Sequence, residues 1–378
     1  MFWKRTVIIL ATAGGVLLSG TVAAETVQQT NVTDETEIQI QPLDDANTEG
    51  APRRIKRIAE RVKETAKWLE RIEIGALIEI EAGHVNLYAG DSESDIVIAT
   101  FAPYITSDVN EWISLQGSLL YEQDVTDLEV DVATISIAHP ETTPVYATIG
   151  QAYAPFGHYD TYMISDPLTL EIGQSREVAA QLGVATLGLT AAAYVFNGDI
   201  DHDDSKLNDY GVFIGYDQDF DDGAISLGLG YISSLGESDG LQENITRPGR
   251  VPGSAFNARL DFRGFHLIGE YVGAHRSFGV EDYAFAGHGA RPRAFNLETG
   301  YSFNMLGRES VLSVALQETK QAAPIGPPRS RAMVGYSIEL MRNTGLLLEY
   351  SYDTDYDVID GGTGQQASRF LGQFAVVF

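Results

Sequence analysis

From Ile72 onward, apolar side chains recur at every second position, the period of an extended strand. Ile72, Ile74, Ala76, Ile78 and Ile80 share one phase, with Glu73, Gly75, Glu79 and Glu81 in the other. The alternation returns in Val212, Ile214 and Tyr216, in Leu227, Leu229 and Tyr231, in Phe256, Leu260 and Phe262, and in Leu346, Leu348, Tyr350 and Tyr352. The opposite phase carries Arg259, Asp261, Arg263, His266, Glu270, Arg331, Glu339 and Glu349. In a transmembrane barrel the apolar phase meets lipid and the polar phase lines a wet interior. A soluble β-sandwich alternates as well, but it has no need of Tyr and Phe at so many strand ends, where amphipathic rings suit the headgroup level. The expected fold is all-β, a transmembrane antiparallel β-barrel of about 16 strands, with both termini on one side.

Connections alternate in length. Brief turns fall near Asp108 to Asn110, His139-Pro140, Asp221 to Gly223, Leu306-Gly307 and Asn343-Thr344. Longer segments run from His158 to Ser175, Asp199 to Asn208, Ser233 to Pro252, Gly279 to Gly289 and Gln321 to Pro328. Short periplasmic turns and long external loops are the asymmetry of bacterial barrels.

Before Ile72 the pattern differs. Lys4 and Arg5, the apolar run Val7 to Leu18, and Val22-Ala23-Ala24 read as a secretory signal peptide over residues 1–24. Residues 25–51 are polar without apolar periodicity and read as a disordered periplasmic linker. Pro52 opens a periplasmic helix over 52–70, with Ile55, Ile58, Val62, Thr65, Leu69 and Ile72 at heptad positions among seven basic residues. It is either an amphipathic helix lying on a surface or a coiled coil joining protomers into a homo-oligomer. The barrel then occupies 71–378.

The chain has 25 basic and 53 acidic residues, a net charge of −28, and no cysteine. That charge excludes a nucleic-acid partner, which needs clustered Lys and Arg. Absent cysteine excludes thiol nucleophiles and thiolate metal sites, and suits an oxidising compartment. The location expected is the outer membrane of a Gram-negative bacterium, in contact with lipid and lipopolysaccharide. A barrel of about 16 strands leaves an aqueous channel, so permeation is the default function, with selectivity set by lumen-facing charge. The lumen candidates are Glu79, Glu81, Arg259, Arg263, His266, Glu270, Arg331, Glu339 and Glu349, where acids outnumber bases and favour cations or neutral polar solutes. The alternative is that the acids lie outside the pore and bridge lipopolysaccharide through divalent ions.

The loop after the fifth strand is punctuated by Pro155, Gly157 and Pro167 and is expected to be structured. In general porins the corresponding loop folds inward, so Tyr159, Asp160, Tyr162, Asp166 and Arg176 are candidates for a pore constriction. Other chemistry is weaker. His158, Asp160 and Ser165, or His202 with Asp201 and Asp203, place hydrolase-type residues near one another, without a spacing that specifies a triad. Asp199, Asp201 and Asp203 begin like a calcium loop, but Asp204 stands where the turn glycine belongs and Tyr210 where the bidentate Glu belongs. No enzyme, cofactor or metal site is expected. The last strand has Phe370, Phe374, Val376 and Phe378 in one phase, which resembles the signal read by the barrel assembly machinery.

The run from Phe156-Gly157-His158-Tyr159 to Met163-Ile164-Ser165-Asp166-Pro167-Leu168-Thr169-Leu170-Glu171 resembles the hallmark segment of the LbtU-type siderophore porins. The resemblance extends to the N-terminal region, Lys56 to Leu69, Leu128 to Ile135 and the barrel. It implies an outer-membrane barrel of about 16 strands that takes up a ferric siderophore without a plug domain, and it transfers no catalytic residues. General or cation-preferring porin activity, and a structural barrel with a periplasmic interaction arm, are the alternatives.

Overall fold

The computed structural model describes residues 71–378, apart from 199, 201–206, 243–244 and 246–248. The signal peptide, linker and helix expected before residue 71, and the Asp199 to Asp203 and His202 candidates, lie outside the described residues or rest on ones that do.

Sixteen antiparallel strands close into one barrel. The first five are β1 (Ile72–Asn86), β2 (Ser92–Asp108), β3 (Ile113–Glu122), β4 (Thr126–Ala138) and β5 (Val145–Tyr153). After an inward loop, L3 (residues 154–175), come β6 (Arg176–Thr186), β7 (Leu189–Phe196), β8 (Asp209–Phe220), β9 (Gly223–Ile232), β10 (Gly253–Phe262) and β11 (Phe265–Ala274). A small external hairpin, β12 (Ala284–Phe285) and β13 (His288–Gly289), interrupts the wall before β14 (Arg293–Met305), β15 (Arg308–Lys320), β16 (Ser330–Met341), β17 (Thr344–Thr354) and β18 (Gln366–Val377). β18 pairs with β1 and closes the sheet, with Ile80 opposite Phe374 and Ile78 opposite Val376. Phe370, Phe374 and Phe378 stand exposed on the outer face at this seam.

Closure removes both sheet edges, so every barrel strand has two neighbours and the wall can lie in lipid with its backbone paired. The outer face is apolar: Ile74, Ile96, Val178, Leu182, Ile214, Leu229 and Leu316 are all exposed. Such a surface is stable only against hydrocarbon, which places the barrel in the outer membrane. Among the described residues no helix is long and apolar enough to cross a membrane. Aromatic pairs mark the turn end of the wall, with Phe220 against Phe262 at 6.3 Å and Phe265 against Tyr301 at 4.7 Å between ring centroids.

The turns after β6, β10, β14 and β16 are tight and carry a non-glycine residue at positive φ: Leu187, Arg263, Leu306 and Asn343. Arg263, expected in the lumen wall, is therefore a turn residue (φ 50°), exposed at the rim and paired with Asp222 of the neighbouring turn at 2.6 Å. Its place in the alternation was right by phase, but the strand ends one residue earlier.

Candidate functional site

L3 folds into the barrel. Its root is apolar: Phe156, Leu168, Leu170 and Ile172 are buried against Tyr194, Phe196, Ile232 and Val272 on the inner face of β7, β9 and β11, and against Leu235, Leu241, Phe278 and Tyr283 of other external loops. One helical turn, α1 (Leu170–Gly173), returns the chain to β6. The wall makes room by glycine. A Cβ at Gly230 would overlap the Phe156 carbonyl, and one at Gly335 would press on the Met163 sulfur.

Three wall carboxylates hold the rest of the loop. Glu270 on β11 accepts the His158 N–H at 2.8 Å and the Tyr159 N–H at 3.2 Å on Oε1, and the Thr169 hydroxyl at 2.5 Å on Oε2. Glu298 on β14 accepts the Tyr162 N–H at 2.6 Å and the Thr161 hydroxyl at 2.8 Å. Glu349 on β17 accepts the Ile164 and Ser165 N–H groups at 2.6 and 2.8 Å, and the Ser165 hydroxyl at 2.6 Å. Each carboxylate gives one oxygen to backbone N–H and the other to a loop hydroxyl. L3 thus leaves β11, crosses β14, reaches β17 and comes back to Glu270 through Thr169, with Gln317 on β15 accepting the Leu168 N–H at 3.2 Å on the way. Burying carboxylates is costly unless hydrogen bonds satisfy them, and the loop supplies those bonds.

Several sequence candidates therefore change role. Glu270 and Glu349 face inward as their phase requires, and Glu298 with them, but at 2, 1 and 0 % exposed they lie under L3 and not along the water path. Arg331 also faces inward, at 2 % exposed, and is spent on a bidentate pair with Asp353 at 2.8 and 3.0 Å. Tyr159, expected at the constriction, is 8 % exposed, sits at φ 56° and belongs to the apolar root, where burial pushes its hydroxyl pKa well up. Ser165 donates its hydroxyl to Glu349 at 2.6 Å, a role in holding the loop.

Asp160 and Tyr162 do come together with wall residues. The Arg259 guanidinium reaches Asp261 at 2.8 Å, the Tyr162 hydroxyl at 2.8 Å and Asp160 at 3.3 Å. His266 continues the chain, with Nδ1 at 2.5 Å from Asp261, Nε2 at 2.7 Å from the Ser302 hydroxyl, and its ring 5.0 Å from that of Tyr162. Arg176 is elsewhere, pairing with Glu129 at 2.6 Å and Asp131 at 3.5 Å at the external end of β4 and β6. Asp166 lies near Glu171, whose carboxyl is pushed up to about 7, first by burial and then by the Asp166 charge, with Arg331 and Arg369 partly offsetting both.

Away from L3, the inward phase of β2 to β6 carries Thr106, Gln116, Thr134, Ser136, Thr148 and Gln181, all half-buried, with the buried acids Glu122, Asp131 and Glu177 nearer its external end. Glu79 is half-buried and Glu339 exposed on the inward phase, while Glu81 is buried and accepts the Gln373 amide at 2.9 Å. The three loop-holding acids were missed as a set. Their signal in the sequence is a run of loop hydroxyls four apart, Thr161, Ser165 and Thr169, facing three lumen-phase glutamates.

Solved structures share the barrel. The outer membrane channel DcaP of Acinetobacter baumannii is 12% identical, covers 81% of this chain and 97% of its own, and superposes with a TM-score of 0.55. OprB of Pseudomonas putida is 10% identical, with 84% and 97% covered and a TM-score of 0.59. A porin of Rhodopseudomonas blastica is 10% identical, with 81% and 100% covered and a TM-score of 0.53. At these identities the likeness is one of fold, that of porin-like outer-membrane barrels. No family model matches the sequence. A UPF0422 protein of Legionella pneumophila strain Philadelphia 1 is 24% identical over 312 residues, 74% of this chain but only 58% of its own length. A UPF0422 protein of Coxiella burnetii is 31% identical over 325 residues, 80% of this chain and 69% of its own. With that identity over that share of both chains, the protein belongs to the UPF0422 family.

Proposed function

We propose that the protein is a passive, porin-like channel for small hydrophilic solutes, with L3 as its constriction. The observation that carries this reading is the loop's attachment: Glu270, Glu298 and Glu349 hold it across the inner wall, leaving the polar inner face of β2 to β6 free of it. A loop held at three points narrows a lumen without closing it. Asp160, Tyr162, Arg259 and His266 are the polar groups presented at that narrowing, and a solute passing there meets both signs of charge. Ferric siderophore, or a similar iron chelate, is the cargo we favour, and it rests on the resemblance of the segment Phe156 to Glu171. A general, cation-preferring porin is the second reading, favoured by inward acids such as Glu79 and Glu339 that lie clear of L3. Catalysis has no part in either.

Planar-bilayer recording tests the channel, since a closed barrel gives no conductance steps. Iron uptake in a deletion strain tests the cargo: unchanged ferric-siderophore accumulation removes the chelate and leaves the general porin. We also propose that Phe370, Phe374, Val376 and Phe378 address the chain to the barrel assembly machinery, and that residues 52–70 join protomers. Crosslinking of the full chain against a form lacking 25–70 checks the latter, and an unchanged oligomer pattern refutes it.

A further inference from the structure

At the external rim, the β12 to β13 hairpin stands over a pocket of about 420 Å³ whose lining includes Ser277, His288, Arg291, Arg293 and Gln321. No carboxylate lines it, in a chain with 53 acidic residues. Arg293, the first residue of β14, has the phase of Phe295, Leu297 and Tyr301, so it belongs to the outer, lipid-facing side. The ladder sets it directly opposite Lys320 of β15, which has the outward phase of Leu312, Val314 and Leu316. Like charges opposed on one face of an antiparallel pair repel. The carboxylate beside Lys320 is Glu318 of its own strand, 3.7 Å away, with both side chains more than half exposed and therefore well screened.

The pocket is also built. Gly273 of β11 pairs with Arg293, and a Cβ there would press on the Arg293 stem, 2.9 Å from Cγ. Arg293 Nε is shielded from solvent and has no acceptor among the described residues. Arg291 is held in place by its backbone N–H to Gln321 Oε1 at 2.7 Å and its Nε to the Ala274 carbonyl at 2.8 Å. One step down the same outer face, Phe295 pairs with Tyr271, rings of the kind that sit at the headgroup level.

We propose that Arg291, Arg293 and Lys320 bind a phosphate group at this rim, that of a phosphorylated outer-leaflet lipid. Guanidinium pairs bind phosphate in a forked geometry, a dianion relieves the Arg293 and Lys320 repulsion, and the outward phase at aromatic height points to the headgroup layer over bulk solution. The site is independent of transport.

The test uses the full folded chain in neutral detergent, with bis-phosphorylated lipid A, its dephosphorylated form and inorganic phosphate as separate probes. The bis-phosphorylated lipid is expected to bind at least about ten-fold more tightly than the dephosphorylated one, and Arg293→Gln to abolish that difference, since a hydrogen bond to a charged group contributes about 1.5–3 kcal/mol. Arg308→Gln, a cation at the opposite end of β15, is expected to leave it intact, and heat-modifiable mobility reports folding of each variant. Equal binding of the two lipids, or an unchanged difference in both Arg293→Gln and Arg291→Gln, overturns the proposal. Saturation by millimolar inorganic phosphate without lipid discrimination also overturns it, by making the pocket a site for soluble anions.

Discussion

Replacing Glu349 by Ala should partly release the tip of L3. The native carboxylate accepts two backbone N–H groups and one hydroxyl, and is 1 % exposed. Alanine strands the Ile164 and Ser165 N–H groups, at about 1–3 kcal/mol each for a buried unpaired donor. The total, about 2–6 kcal/mol, is to be set against what else holds the loop. Met163 of the tip is seated on Ala315 and Met333, contributing about 1.5–3 kcal/mol. The root buries Phe156, Leu168, Leu170 and Ile172, each at a similar about 1.5–3 kcal/mol. The loss therefore exceeds the tip's remaining hold at its upper end but never that of the root. Residues 163–167 should sample a released state while Glu298 and Arg259 keep 160–162 in place and the root stays docked, seen in bilayer recordings as a higher mean conductance with added open-channel noise. Glu349→Gln is the sharper control. Its amide oxygen can accept both N–H groups, and the Ser165 hydroxyl can turn to accept from the amide nitrogen. Only the charge assistance is lost, about 1 kcal/mol, so conductance should stay near native. If Glu349→Ala, folded by heat-modifiable mobility, shows native conductance and noise, the carboxylate does not hold the loop.

Three further outcomes follow from the same geometry. Glu171 has its pKa raised to about 7 from 4.5, so the docked state binds its proton more tightly than the released one. Its contribution is full below about pH 4.5 and is lost as pH rises through about 7; channel noise should increase across that window and lose the transition in Glu171→Gln. Gly230→Ala places a methyl on the Phe156 backbone carbonyl, which cannot yield, whereas Gly335→Ala meets the Ser313 hydroxyl and the Met163 thioether, both side-chain ends that can turn aside; limited proteolysis within L3 should accelerate in the first and change little in the second. Arg259→Ala removes the cation shared by Asp160 and Asp261, and reversal potentials in a salt gradient should shift toward cation selectivity by an amount that shrinks at high salt.

The wall was legible in the sequence because a strand's two faces have opposite solvents: Ile74 and Ile80 outward against Glu79 and Glu81 inward need no tertiary information. L3 was legible as a position and as a structured loop. What its residues touch was not. A lumen-phase glutamate looks the same whether water or a loop lies above it, so Glu270 and Glu349 read as pore charges. Tyr159 read as a pore residue because polar-tipped aromatics suit both a wet eyelet and an apolar root, and its positive φ, which turns it to the root, has no signal in a residue type that rarely adopts it. Arg263 shows the limit of phase itself, which continues on paper past the point where the strand turns.

The net charge of −28 consequently says little about what passes. The acids nearest the narrowing are either neutralised in function by loop N–H groups, as with Glu270, Glu298 and Glu349, or balanced by Arg259, as with Asp160 and Asp261. The same arrangement couples two properties that are separate in a rigid pore. No cation pairs directly with Glu270, Glu298 or Glu349 among the hydrogen bonds and ion pairs described, so their burial depends on the loop. Any displacement of L3 that widens the lumen therefore also returns these carboxylates to water, where they line the path. A wider state of this channel must be a more cation-selective one, and a substitution that raised conductance while leaving selectivity unchanged would have opened the pore by some route other than L3.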